Sequence, residues 1–287
     1  MTVRLTVVIP THNRPEGLSR AVTSLQHQTC PEYEAIIVDD GSNPPARCPD
    51  DPRFRVISNE RTRGSSGARN TGILASSAPI VAFLDDDDEW KPTYIERTLA
   101  AHERFGVEFS WCGFVKVLNG QECDPHLWLP NEGNKHQAYL TFLHHRLVGL
   151  NYGVAIKRAT LEHVGLFDET LNQGADGELL ARLFRTARFT AIDEHLVRYH
   201  VDHGPDRLSG RDSSNRYRAH LAIIDRHQDT LAEHPQIAAK VLANLAAQYY
   251  LRGEKSEARR ALRKAFRSQL ICGRAWKVGL WYELGLN

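Results

Sequence analysis

Long apolar runs are missing from this chain of 287 residues. The longest, such as residues 80–84, are far shorter than the ~20 residues needed to span a bilayer. The N-terminus also lacks the positive flank, apolar stretch and cleavage site of a secretory signal. These absences argue against a membrane-spanning or secreted protein, so we expect a cytoplasmic one.

Cysteine and methionine are scarce as well. The five cysteines are odd in number, scattered and without a CxxC pair, which argues against common zinc and redox motifs and predicts free thiols. Met1 is the only methionine and arginine greatly outnumbers lysine, a composition typical of a GC-rich bacterial genome.

Net charge is close to zero, at +1, but it is unevenly distributed. From residue 215 onward, basic residues exceed acidic ones by seven, and the first 214 residues carry a net charge of −6. A basic tail on an acidic body indicates a solvated helical face or contact with an anionic membrane surface or a partner. The tail lacks interleaved exposed aromatics, which argues against nucleic-acid binding.

The first half alternates short apolar runs with helical patterns. Nearly uninterrupted apolar runs at residues 5–9, 35–39, 55–57 and 80–84 predict buried parallel strands, with a helix between the first two. This rhythm predicts an α/β fold with an open, mostly parallel sheet and helices on both faces. In such sheets, ligands bind beyond the carboxyl ends of the strands.

The remainder is mixed and then helical. We expect strands at 107–117 and 152–157, a helix at 175–185 and a loop at 201–214. Apolar residues spaced three or four apart on both sides of Gly253 predict a helical hairpin that packs on the rest of the chain. The predicted division is a catalytic domain at 1–213 and a C-terminal helical region at 214–287, which also offers a surface for self-association.

Asp85, Asp86, Asp87 and Asp88 follow the fourth predicted strand directly. Adjacent carboxylates repel one another unless a cation compensates them, and oxygen ligands suit Mn²⁺ or Mg²⁺. The sequence therefore predicts a divalent metal site at this strand end, with an acidic loop as the alternative.

Two further segments carry polar groups at the same sheet edge. Asp39 and Asp40 lead into a Gly-Ser turn, where a carboxylate can accept hydrogen bonds from a uracil imide or a ribose hydroxyl. Residues 63–73 place Gly and Ser at a predicted helix start, whose free amides suit phosphate, and Arg69 adds positive charge.

Together, the stretches 7–14 (VVIPTHNR), 36–42 (IIVDDGS), 63–73 (RGSSGARNTGI) and 81–90 (VAFLDDDDEW) resemble the inverting family 2 glycosyltransferases of the A-type fold. The resemblance is specific over about the first 100 residues, looser to about 200 and absent from the tail. It implies a sugar-transferring enzyme whose donor is a nucleotide diphosphate sugar, with uridine diphosphate as the default.

The resemblance also assigns roles to individual residues. Asp87 corresponds to the direct metal ligand, with Asp85 and Asp86 on the ribose side. Thr11 and Asp39 correspond to base and ribose positions, and Arg69 to a position near the phosphates. The implied nucleotide-sugar site comprises Pro10, Thr11, Asn13, Arg14, Asp39, Asp40, Arg69, Asp85 and Asp86.

Asp176 corresponds to the catalytic base of the family. The preceding acid of the usual Glu-Asp pair is replaced by Ala175, which puts that acid's role in doubt. A base opposite the leaving group would strip the acceptor hydroxyl of its proton and invert the anomeric carbon. The alternative role for Asp176 is a helix N-cap, and Glu178 is the reserve candidate for the base.

His200, in a segment comparable to one that folds over the donor, is a candidate metal ligand or a structural histidine. His144 and His145 are adjacent in a predicted helix, which argues against a shared metal. Trp90, Trp111 and Trp128 are expected to pack in the core rather than to stack on sugars.

Two other functions are alternatives to glycosyl transfer. Sugar nucleotidyltransferases carry a Gly-rich loop after the first strand, and residues 7–14 contain no glycine. A catalytically inactive sugar-nucleotide-binding or scaffold protein that works through its helical tail stays open as the alternative. The acceptor is a glycan, a lipid-linked glycan or a small molecule, and a lipid-linked one would suit peripheral contact at the inner face of the membrane.

Overall fold

The computed structural model describes residues 2–130, 134–145, 147–171, 173–201 and 216–283. Its strands, in chain order, are β1 (Leu5–Thr11), β2 (Tyr33–Asp39), β3 (Phe54–Ser58), β4 (Ile80–Phe83), β5 (Glu89–Trp90), β6 (Phe109–Leu118), β7 (Gln121–His126), β8 (Ala155–Lys157) and β9 (Phe189–His200).

The described residues form eleven α-helices. They are α1 (Pro15–Gln26), α2 (Ser65–Ala75), α3 (Tyr94–Phe105), α4 (Lys135–His145), α5 (Arg158–Val164), α6 (Ala175–Thr186), α7 (Tyr217–Arg226), α8 (Gln228–Glu233), α9 (Pro235–Leu251), α10 (Lys255–Ser268) and α11 (Gly273–Glu283). Within these described ranges, no helix combines the length and apolar character needed to cross a bilayer.

The strands form one sheet in the order β3-β2-β1-β4-β8-β6-β9-β5, with β7 paired to β6. The four strands predicted in the first half are parallel neighbours, as are β6 and β9. Strand β8 enters antiparallel between β4 and β6, so the sheet changes direction at its centre. The predicted α/β class with a C-terminal helical appendage is confirmed.

Both faces of the sheet are covered, which explains the uninterrupted apolar runs. Val8 of β1 packs in one core cluster together with apolar residues of α2, α4 and α6. Val7 and Ile9, which point to the other face, pack with α1 and α3 in a second cluster. The strand predicted from residue 152 begins at Ala155, because Leu150–Tyr152 forms a 3-10 turn that ends at the left-handed Gly153.

The predicted helical hairpin is present as α9 and α10. It turns at Gly253, whose φ of 76° is one that a side chain would strain. Its alanine-rich contact faces form a third core cluster with α11. Helices α7 and α8 and the start of α9 instead contribute to the first cluster beside α6. The predicted boundary at 213/214, like most of the predicted loop at 201–214, lies outside the described residues.

Candidate active site

The carboxyl ends of β1, β2 and β4 and the N-terminal ends of α2 and α6 surround a cavity of about 670 Å³. Sequence-predicted residues supply a large part of its wall. The lining residues are Pro10, Thr11, His12, Asn13, Arg14, Asp40, Gly64, Ser65, Ala68, Arg69, Asp85, Asp86, Asp87, Leu150, Asn151, Gln173, Gly174, Ala175, Asp176, Tyr199 and Arg216.

The acidic run folds as a tight turn rather than an extended acidic loop. The Asp88 amide donates to the Asp85 carbonyl at 3.1 Å. Asp85, Asp87 and Asp88 each offer a carboxylate oxygen, and these oxygens lie within 4.8 Å of one another. Asp87 and Asp88 are buried, at 8% and 2% exposure. A compact set of three carboxylates fits a hard divalent cation such as Mn²⁺ or Mg²⁺.

Asp86 is not part of this trio, and its carboxylate contacts the carboxyl end of β1 instead. Its carboxylate accepts hydrogen bonds from Thr11 Oγ1 at 2.8 Å and from an Arg14 Nη1 at 3.2 Å, and the same Arg14 nitrogen reaches Asp87 at 2.9 Å. The pKa of Asp86 is raised to about 6, mainly by burial; Asp87 and Asp85 add to the rise, and the hydrogen bond from Thr11 and the charge of Arg14 oppose it. Asp86 therefore joins the first strand to the acidic turn.

Arg69 lies on α2 with 9% exposure and faces the cavity. Its Nη2 contacts Asp85 Oδ1 at 2.6 Å, and its guanidinium lies 5.7 Å from the Phe167 ring centroid. A buried arginine fixed by a carboxylate and an aromatic ring presents a positive charge at a defined place.

Asp39 and Asp40 face different partners. The Asp39 carboxylate accepts hydrogen bonds from the Ser42 and Ala46 amides at 2.8 and 2.9 Å. Burial alone would raise the pKa of Asp39, but its hydrogen bonds outweigh burial, so the pKa is lowered. Asp40 lines the cavity and accepts from the Gly64 amide at 2.8 Å. The structure thus places Asp40 on the wall, with Asp39 supporting the turn behind it.

Asn13 connects the first two strand ends. Its amide donates to Ser42 Oγ at 3.0 Å, and its Oδ1 accepts from the Asn43 amide at 2.8 Å. Its φ of 54° is tolerated by asparagine better than by most residues. Pro10 and Thr11 therefore open onto the cavity from the end of β1, directly before the loop that Asn13 fixes to the turn after β2.

Asp176 lies in the first turn of α6 and lines the same cavity as the acidic turn. It is not the N-cap, which is Gly174 with φ 79°. The side chains of Asp176 and Asn151 both lie close to Gly149, on the side where other residues carry a Cβ. A Cβ at that position would be 3.4 Å from Asp176 Oδ2 and 2.7 Å from Asn151 Oδ1. Ala175 is buried at 5% exposure beside it.

Glu178, the reserve candidate for the base, is misplaced for that role. Its side chain is fully buried and accepts two hydrogen bonds from Arg182, each at 2.8 Å. Arg226 of α7 pairs with the same carboxylate at 2.5 Å. Asp176 and Glu178 are two residues apart on α6, so they lie on different faces of the helix: Asp176 faces the cavity and Glu178 the buried ion-pair cluster.

His200 lies beside the acidic turn rather than among the cavity residues. Its Nε2 is 2.7 Å from Glu89 Oε1, and its amide donates to Asp88 Oδ1 at 3.1 Å. The carboxylate trio of the described residues does not include it. Tyr199, the residue before it, lines the cavity instead.

Several wall residues carried no recognisable sequence signal. Asn151 lies in the 3-10 turn, Gln173 precedes α6, and Arg216 begins the helical tail. A Cβ on Gly174 would lie 2.9 Å from Ala219 Cβ, so α7 packs directly against the turn that carries Asp176. Only the fold brings the tail to the cavity, and helical periodicity alone does not reveal that contact.

The remaining expectations concern packing. Trp90 stacks on Tyr94 with ring centroids 3.7 Å apart, and Trp111 stacks on Trp128 at 5.5 Å, as expected for core residues. All five cysteines are free thiols. His144 Nδ1 and His145 Nε2 lie 2.7 Å apart, so the two adjacent rings contact each other.

Comparison with known proteins gives consistent matches. Residues 6–167 match the family model described as Glycosyl transferase family 2. The glucosyltransferase WfgD of Escherichia coli, whose name gives UDP-Glc and a diphosphoundecaprenol-linked GlcNAc, is 28% identical over 119 residues, which cover 40% of this chain and 47% of WfgD. The pre-mycofactocin glycosyltransferase of Mycobacterium tuberculosis is 31% identical over 186 residues, or 62% of this chain and 38% of the relative.

These matches span about half or less of those curated relatives. Among solved structures, the chain resembles TarS of S. aureus with a TM-score of 0.65 at 16% identity, covering 98% of this chain and 55% of TarS. It resembles TarS 1-349 in complex with UDP-GlcNAc with a TM-score of 0.64 at 15% identity, covering 99% of this chain and 92% of that one. At this identity the likeness concerns the fold.

Proposed function

Because the chain belongs to glycosyl transferase family 2, we propose that it transfers a sugar from a nucleotide diphosphate sugar to an acceptor hydroxyl with inversion at the anomeric carbon. The observation that carries this proposal is the shared cavity, because both the acidic turn and Asp176 line it. A leaving diphosphate and an attacking hydroxyl require opposite sides of the reacting carbon.

The donor nucleotide would lie along the ends of β1 and β2. Pro10, Thr11, Asn13 and Asp40 border this part of the cavity or fix its loops, with Asp39 behind them. Arg14 and Arg69 place positive charge between this region and the acidic turn, where a diphosphate would lie. We propose UDP as the nucleotide, supported by the UDP-GlcNAc complex of the structurally similar TarS.

Asp85, Asp87 and Asp88 would hold a divalent cation, Mn²⁺ or Mg²⁺. Such a cation supplies neutralisation of the leaving diphosphate. His200 and Glu89 would act behind the turn, because the His200 amide fixes Asp88 and its ring pairs with Glu89. This gives His200 a positioning role in place of the predicted direct ligation.

Asp176 would accept the proton of the acceptor hydroxyl. Its oxygen lies over Gly149, next to the Asn151 amide oxygen, on the wall of the cavity. We propose a glycan, a lipid-linked glycan or a small molecule as the acceptor; WfgD, whose name specifies a diphosphoundecaprenol-linked acceptor, supports the lipid-linked option. We also propose a catalytic unit at 1–213 with a helical region at 214–287 whose Arg216 reaches the cavity.

Calorimetric titration of nucleoside diphosphates and nucleotide sugars, with Mn²⁺ and then with a chelator, tests the donor and the cation. We expect one nucleotide to bind in a metal-dependent manner. NMR analysis of the anomeric configuration of the product then tests inversion. Folded protein that binds none of these nucleotides would favour a scaffold that works through its helical tail.

A further inference from the structure

The C-terminal end of the helical tail exposes an unusual share of the large apolar side chains. Among the described residues, eleven such side chains are at least 40% exposed, and five of them fall within residues 270–281. We call these five the tail patch: Leu270 at 72%, Ile271 at 83%, Trp276 at 52%, Leu280 at 46% and Trp281 at 48% exposure. Clustered apolar exposure of this kind marks an interaction surface.

Helix α11 is apolar on both sides. Ala275 and Val278 are buried against the helical hairpin, and the Tyr282 ring stacks on Tyr250 at 4.8 Å. Trp276, Leu280 and Trp281 occupy the opposite, solvent-facing side. The expectation that the tail lacks exposed aromatics is therefore wrong, and a surface helix that is apolar on both sides has the pattern of a helix that also packs outside its own fold.

The tail patch is continuous rather than scattered. Trp276 Nε1 donates to the Leu270 carbonyl at 3.3 Å, which holds the helix against the preceding turn. Lys277 Nζ lies 4.8 Å from the Trp281 ring centroid, so a cation sits within the apolar surface. The Trp276 ring also contacts Phe266 of α10, with centroids 5.0 Å apart.

Helix α10 places positive charge next to the tail patch. Its inner face is buried through Ala258, Ala261, Leu262 and Ala265. Its outer face exposes Arg263, Lys264 and Arg267, and Arg263 precedes Phe266 by three residues, which places the two side chains side by side on the helix. The surface thus combines indole rings, aliphatic side chains and clustered cations.

We infer that the tail patch docks the protein on an anionic lipid bilayer surface. Leucine, isoleucine and tryptophan side chains enter the boundary between headgroups and acyl chains, while the cations of α10 and Lys277 meet lipid phosphates. Charge complementarity favours a bilayer over a second copy of the chain, because a symmetric contact would bring identical cationic faces together. The inference is independent of the chemistry in the cavity.

Vesicle flotation of the full chain tests the inference. Phosphatidylcholine vesicles with about 30% phosphatidylglycerol are compared with pure phosphatidylcholine. We expect binding to the anionic vesicles that weakens as salt is raised, and a blue shift of tryptophan fluorescence. The shift would come from Trp276 and Trp281, because Trp90 and Trp111 are already buried.

The double substitution Trp276→Ser, Trp281→Ser should reduce vesicle affinity by about tenfold or more. The triple substitution Arg263→Gln, Lys264→Gln, Arg267→Gln should reduce it by roughly fivefold per charge at low salt. Matched controls are Leu74→Ser with Phe105→Ser, which are 59% and 49% exposed on other helices, and Arg188→Gln. These controls should bind like the wild type.

Circular dichroism and thermal melts confirm that each variant is folded. Equal vesicle binding by the wild type and the double tryptophan variant would overturn the inference. A second result would also overturn it: the wild type does not bind vesicles, and light scattering shows that it is a dimer in solution while the double tryptophan variant is a monomer. The tail patch would then be an interface between copies of the chain.

Discussion

Asp86 and Asp87 are neighbours in the sequence, but their carboxylates belong to different parts of the site. Asp86 accepts a hydrogen bond from Thr11 and carries a pKa raised to about 6, mainly because it is buried, whereas Asp87 belongs to the carboxylate trio. Arg14 contacts both. At the residue scale, the four aspartates therefore divide into one that fixes the turn and three that can hold a cation.

Asp87→Asn should abolish metal-dependent donor binding, because it removes one of three anionic oxygen donors. We expect the Mn²⁺-dependent part of the nucleotide affinity to fall by about 100-fold or more, since even outer-shell changes cost 10–100-fold. Titration with and without chelator measures this. The exposed Asp193→Asn is the matched control and should leave affinity unchanged; unaltered metal dependence in Asp87→Asn would exclude the trio as the cation site.

Asp176→Asn should separate binding from chemistry. The amide cannot take the acceptor proton, so we expect kcat to fall by about 10²–10⁴-fold while the donor Kd is retained. Steady-state kinetics and donor titration measure the two quantities. Full transfer activity in this variant would refute the assignment of the base, and a loss of donor binding would make Asp176 structural.

At the scale of elements, the position of α6 depends on α7. Ala219 is fully buried against Gly174, whose left-handed conformation begins the helix that carries Asp176. Ala219→Leu should displace this turn, so we expect a loss of stability of about 1–3 kcal/mol and a fall in kcat with donor affinity retained.

Ala239→Leu is the matched control for Ala219→Leu. Ala239 is also fully buried, but it packs in the third core cluster, away from the cavity. It should cost a similar amount of stability in denaturant unfolding and leave the kcat of the folded protein unchanged. Equal kcat values for the two variants would show that α7 does not position Asp176.

The sequence was informative where local pattern and chemistry coincide. The apolar runs of β1, β2 and β4 end at Thr11, Asp39 and the acidic turn, so parallel pairing alone brings these residues to one edge. Contacts between distant segments were not predictable. The antiparallel insertion of β8, the burial of Glu178 by Arg226 and the arrival of Arg216 at the cavity depend on how separate elements pack.

At the scale of the whole molecule, the first part of the tail shares a core with the sheet. Tyr139 of α4 contacts His227 Nδ1 at 2.6 Å, at the junction of α7 and α8. Burial lowers the pKa of His227 to about 4, and Arg185 adds to this effect. The protonated imidazole is therefore disfavoured in the folded protein.

Stability should consequently depend on pH through His227. Its pKa is lower in the folded state than the usual 6.5, so the unfolded chain takes up a proton first as pH falls. The stabilisation is complete above about pH 6.5 and is lost as pH falls towards 4. We expect urea unfolding of the wild type to show this loss, and the difference from His227→Gln to narrow over the same window.

His163→Gln, at an exposed position, provides the control and should follow the wild type at every pH. His102, whose pKa burial also lowers to about 4, is common to all three proteins and cancels in the comparison. A constant difference between the wild type and His227→Gln from pH 7 to 4 would contradict the prediction.

The buried carboxylate of Glu178, held by Arg182 of its own helix and Arg226 of α7, connects the helical tail to α6. Loss of both arginines would leave the buried Glu178 charge uncompensated, which is strongly destabilising, and loss of Arg226 alone would remove the ion pair between the tail and α6. Related sequences should therefore exchange the three positions together, and a tail transplanted from a distant relative should function only when it brings its own arginine.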